Sequence, residues 1–152
     1  MDTLLEIKPQ IGFSSLLFGA TMVDAQKIWG EPEDIQLIDE IDEFKATVWH
    51  YWDSEFTLFF DEQHNQLFNC VEISNKDTVL WGQKIFSFKE KQIIELFKST
   101  GIVDYETEQH EWGERRLGFD TANIDFYFEK NKLISVNFCK ALHQSTSLIL
   151  KN

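Results

Sequence analysis

Two stretches of this chain alternate apolar and polar positions in the same order. Trp49-x-Tyr51, four intervening residues and then Phe56-x-Leu58-x-Phe60-Asp61 predict two strands joined by the tight turn Asp53-Ser54-Glu55. Leu117-x-Phe119, again four residues, and then Ile124-x-Phe126-x-Phe128-Glu129 repeat the arrangement at one constant offset. A period of two is what a strand with one buried face requires. A further strand follows each hairpin, over 66–74 and 132–139, introduced by the turn residues Gln63-His64-Asn65 and Lys130-Asn131. A strand also precedes each hairpin, over 34–38 and 105–109.

Upstream of each set lies a helix with similar punctuation. Thr21-Met22-Val23-Asp24 and Ser87-Phe88-Lys89-Glu90 both read as capping boxes, and Gly30 and Gly101 both stand where a left-handed cap ends a helix. The short lead-ins Leu17-Phe18-Gly19 and Leu80-Trp81-Gly82 correspond too. One globular domain over 1–152 is therefore expected, with a first repeat unit at 11–76, a second at 77–140 and a C-terminal segment at 141–152. Each unit reads as a short helical lead-in, a helix and about four antiparallel strands. The predicted fold class is α+β: two tandem helix-loop-helix plus four-strand units forming one sheet of about eight strands, with helices on one face.

That organisation resembles the beta-lactamase inhibitor protein fold. The likeness rests on the paired lead-ins, the Thr21 and Ser87 helix starts and the two hairpins. It spans nearly the whole chain as architecture and carries no functional residue across. Members of that family are secreted and disulfide-bonded.

Composition sets the class of protein. At 152 residues, 43% hydrophobic and 26% charged, with 14 Phe and 5 Trp, the chain can bury an aromatic core without metal or disulfide staples. No basic leader precedes an apolar run, so a cytoplasmic protein is expected. In that setting Cys70 and Cys139, which lie in apolar strand-like stretches, read as buried free thiols. The formal net charge of -12 opposes binding to nucleic acid or to an anionic membrane surface.

Candidate chemistry is sparse. The four histidines, His50, His64, His110 and His143, show no metal-ligand spacing, and neither cysteine has a neighbour that would activate it. No metal, cofactor or catalytic residue is predicted. Strand parity is more informative. Residues alternating with Trp49, Tyr51, Phe56, Leu58 and Phe60 must face away from the core, which places His50, Trp52, Thr57 and Phe59 on the far side of the sheet. The second unit adds Arg116, Gly118, Asp125 and Tyr127. Trp52, Phe59, Tyr127, His50 and Arg116 are of the types that anchor protein interfaces, and are the predicted partner-binding residues.

Acidic residues crowd 31–43 and 104–114, two segments that hold nearly half of the 26 acids and no Lys or Arg. Asp39, Glu40, Asp42 and Glu43 are the predicted steering group for a basic partner. The expected function is a non-catalytic protein-binding module of inhibitor or toxin-immunity type. The alternatives are a structural or regulatory homodimer that uses the same face, with the C-terminal segment as a competing cover, and a small-ligand-binding protein or enzyme.

Overall fold

The computed structural model of the chain describes residues 4–39, 45–62 and 65–140. Glu40, Asp42 and Glu43, His64 and the C-terminal segment from 141 onward, His143 included, lie outside the described residues.

The first unit runs β1 (Glu6–Lys8), β2 (Gly12–Phe13), β3 (Leu16–Leu17), α1 (Met22–Trp29), β4 (Asp34–Asp39), β5 (Lys45–Tyr51), β6 (Phe56–Asp61) and β7 (Leu67–Ile73). The second runs β8 (Val79–Leu80), β9 (Gln83–Lys84), α2 (Glu90–Ser99), β10 (Glu106–Gln109), β11 (Glu114–Phe119), β12 (Ile124–Glu129) and β13 (Lys132–Cys139). Eight strands form one antiparallel sheet in the order β10-β11-β12-β13-β7-β6-β5-β4. Each unit contributes four, the last strands β7 and β13 meet at the centre, and β4 and β10 are the outer edges. The ladder slips by one residue between Phe59 and Phe60 in the first unit and between Tyr127 and Phe128 in the second. These are matching places in the two hairpins. The fold is α+β, with both helices on one face of the large sheet.

The lead-ins are short strands rather than helical turns. They assemble a second, five-stranded sheet in the order β3-β2-β1-β8-β9, in which β1 of the first unit pairs in parallel with β8 of the second. Two-residue strands carry no periodicity for a sequence pattern to reveal. Close packing at Gly12 is part of this sheet: a Cβ there would meet the Leu16 carbonyl oxygen at 2.2 Å. Among the described residues no helix is long and apolar enough to cross a membrane.

One core fills the space between the large sheet and the layer of helices and small sheet. Trp49, Tyr51, Leu58, Val71, Leu117, Phe126, Val136 and Phe138 point into it from the strands, and Ala25, Ile93 and Phe97 from the helices. Phe97 stacks on Phe119 with ring centroids 3.9 Å apart. Tyr51 reaches out of this core to donate a 2.8 Å hydrogen bond to the Gly30 carbonyl, and burial first, then Glu33 and Glu31, push its pKa up to about 12.

The helix starts differ. Thr21 forms the expected box, its hydroxyl accepting from the Asp24 amide at 3.2 Å while the Asp24 carboxylate accepts from the Thr21 amide at 3.1 Å. Thr21→Ala is expected to lower stability by about 1 kcal/mol, read from the urea unfolding midpoint. Ser87 does not cap α2. It sits in a 3-10 turn over Ile85–Ser87 and bonds back to Lys84, and the helix begins at Glu90 with Lys89 as its N-cap. Glu90 is drawn away from a capping role by Arg115 of β11, whose Nε lies 2.7 Å from its carboxylate.

Candidate partner-binding face

The strand register settles which side chains share the face opposite the helices. Asp34 stands opposite His50, His50 opposite Thr57, Thr57 opposite Glu72, Glu72 opposite Asn137, Asn137 opposite Asp125, and Asp125 opposite Gly118. This row crosses both units. None of the described helices and strands outside the large sheet packs against it, since the core they share with the sheet is on the other face.

The predicted residues fall into two groups on this face. His50, Trp52 and Phe59 belong to the first. The His50 and Trp52 rings are stacked, with centroids 4.1 Å apart and planes within 8°. The His50 ring is held on both sides, its Nε2 3.0 Å from Gln36 Oε1 and its Nδ1 3.0 Å from the Thr57 hydroxyl. Gln36 Oε1 can only accept, so Nε2 donates to it, while the Thr57 hydroxyl can serve Nδ1 as donor or acceptor. Trp52 is 55% exposed and stacks on a histidine that two side-chain hydrogen bonds orient. Phe59 is half-buried, opposite Val48 on one side and Cys70 on the other. Ala46, Val48 and Thr57 are buried although their parity is outward.

Arg116 and Tyr127 make up the second group, opposite one another in the β11–β12 ladder. Four strand spacings separate β5 from β12, roughly 19 Å. Arg116 is engaged within the chain. Its guanidinium meets Glu106 at 2.5 Å, Glu108 at 3.1 Å and Asp125 at 3.4 Å, and its side chain is only 15% exposed. Burial acts to lower the Arg116 pKa, but Asp125, Glu106 and Glu108 outweigh it and hold the group above its ordinary value. Burial raises the pKa of Asp125, and Arg116 only partly offsets this; burial likewise raises Tyr127. Gly118 leaves the room this cluster occupies, because a Cβ there would lie 2.3 Å from Arg116 Nη1 and 2.6 Å from Asp125 Oδ1. The acids of β10 thus neutralise Arg116 and leave the cluster net negative.

Between the two groups lies a bond that the composition argued against. Cys70 and Cys139 are not free thiols. They face each other in the β7–β13 ladder with Cα atoms 4.0 Å apart and form a disulfide. Placing the last strands of the two units side by side brings these two residues together, and nothing local to either cysteine signals it.

Asp39, at the far end of β4 from the His50 row, pairs with Lys45 at 3.8 Å, both side chains exposed. The acids nearest the His50–Trp52 stack are instead Asp34, opposite His50, and Glu33, which accepts from the Asp53 amide at 2.7 Å. Among the described residues no three His, Cys, Asp or Glu side chains gather as a metal site would require. No known family model, curated protein or solved structure matches this chain.

Proposed function

We propose that this protein is a non-catalytic binding module of inhibitor or toxin-immunity type, which docks a basic partner protein on the outer face of its large sheet. One observation carries the reading: a tryptophan more than half exposed stacks on a doubly hydrogen-bonded histidine on a face with no described element over it. A pre-positioned aromatic loses little conformational freedom on binding, which is the property of an interface anchor. Phe59, opposite Val48, adds a half-buried ring to the same half of the face. Asp34 and Glu72 lie on the same cross-strand row as His50, the Arg116 cluster adds net negative charge at the other end of the face, and such carboxylates speed encounter with a cationic surface.

The same carboxylates argue against the face as a dimer interface, because self-association would set like charges against each other. The Cys70–Cys139 bond bears on compartment: it persists where thiols are oxidised, whereas in a reducing cytoplasm the pair would stand as facing thiols.

The test is capture of a partner from native extract by wild type and by Trp52→Ala/Phe59→Ala, at low and high salt. Each anchor is expected to contribute about 2 kcal/mol or more, a loss of roughly 30-fold per side chain. Complex formation should vanish in the double variant, weaken with salt in the wild type, and leave the circular dichroism of the free protein unchanged. An unfolded double variant, or one that still captures the same partner, overturns the proposal.

A further inference from the structure

A cleft of about 630 Å³ opens on the helix side of the sheet, bounded by the start of α2, β11 and the turns that join β10 to β11 and β12 to β13. In an acidic chain its lining is basic: Lys89 and Lys91 come from the start of α2, Arg115 from β11 and Lys130 from the β12–β13 turn, and Glu90 is its one acid. Arg115 and Glu90 neutralise each other through two hydrogen bonds of 2.7 and 3.2 Å. Among the described residues Lys89, Lys91 and Lys130 form no ion pair, whereas Lys45 and Lys84 each find an aspartate. Three lysines without an ion pair therefore line one concavity.

Strand parity creates this separation of charge. Arg115 stands opposite Phe128 on the helix side, while its neighbour Glu114 stands opposite Glu129 on the other face. The β11–β12 ladder thus sends a cation toward the cleft and two carboxylates away from it. The rest of the net charge is blunted by salt, whose screening length is about 8 Å at physiological ionic strength. The first turn of α2 adds to the same field. Its N-cap is a lysine, whose side chain can only donate and so caps none of the first amides, although Gln92 Oε1 accepts from the Lys89 amide at 2.8 Å.

We propose that this cleft binds a small molecule carrying a diphosphate group, through Lys89, Lys91 and Lys130, with Arg115 fixed at its wall by Glu90. A diphosphate brings several negative charges in a compact span and matches three ammonium groups, whereas a single carboxylate would leave most of that charge unmet. A long polyanion is disfavoured by the overall charge of -12; a small one that enters the cleft is not.

Titration calorimetry of the full chain with inorganic pyrophosphate, a nucleoside diphosphate and acetate, at matched ionic strength, tests the site. Saturable one-to-one binding is expected for both diphosphates, and none for acetate. Tighter binding of the nucleoside diphosphate would show that the cleft walls read an organic body, and equal affinity that the group alone is read. Lys91→Gln/Lys130→Gln should weaken pyrophosphate binding at least ten-fold, while Lys27→Gln on α1 leaves it unchanged. Absence of saturation in the wild type, or equal affinity in the Lys91/Lys130 variant, overturns the proposal.

Discussion

Phe13→Ala is expected to lower the unfolding free energy by about 3–5 kcal/mol, a large share of the roughly 5–15 kcal/mol a domain of this kind has in total. Phe13 is fully buried in β2 of the small sheet. Its ring stacks on Trp29 of α1 at 5.4 Å and meets the edges of Phe56 in β6 at 5.0 Å and Phe138 in β13 at 6.1 Å. One side chain from the lead-in thus joins a helix, a strand of its own unit and the last strand of the other. Truncation removes the transfer energy of the ring and leaves a void between rigid aromatic neighbours that cannot collapse to fill it. The urea midpoint should fall with the slope unchanged, and a loss below 1 kcal/mol would mean that the small sheet is not an integral part of the core. Trp52→Ala on the other face provides the contrast, with a stability change expected within about 0.5 kcal/mol.

The same contrast explains what could be read from the sequence. The hairpins were legible because each strand has one buried and one outer face, so a period of two survives from Trp49 to Phe60 and from Leu117 to Phe128. Parity then placed His50, Phe59, Arg116 and Tyr127 on the outer face, where the register puts them, and Trp52 beyond the end of β5 is placed by its stack on His50. Parity alone could not show that they form two groups, since that depends on β7 and β13 being the strands that join the units. Nor could it show that Arg116 is enclosed by carboxylates from β10. The Ser87-to-Glu90 spacing satisfied a capping pattern, but the stronger demand on Glu90 came from Arg115, distant in sequence. A trace of the basic cleft was present all the same: Arg115 is a charged residue at a core-facing position, and a cation in that parity needs a partner on the helix layer.

Loss of the Cys70–Cys139 disulfide is the second large effect expected, about 4 kcal/mol of stability on the chain-entropy argument for cysteines 69 residues apart. For a chain of this length that corresponds to a fall of roughly 8–16 °C in Tm. The β7–β13 ladder should survive, because Val136 to Phe138 remain paired with Ile73 to Val71 and the packed helix side ties the units independently. Cys70→Ser/Cys139→Ser is therefore expected to keep the far-ultraviolet spectrum of the wild type at 25 °C while melting well below it. Reduction of the wild type should bring its melting point close to that of the double variant, since both remove the same cross-link. In the oxidised protein neither cysteine should react with an alkylating reagent until the chain is reduced. Rapid labelling of both thiols without reductant, together with identical melting of wild type and variant, would show that the two units are held by the ladder and the core alone.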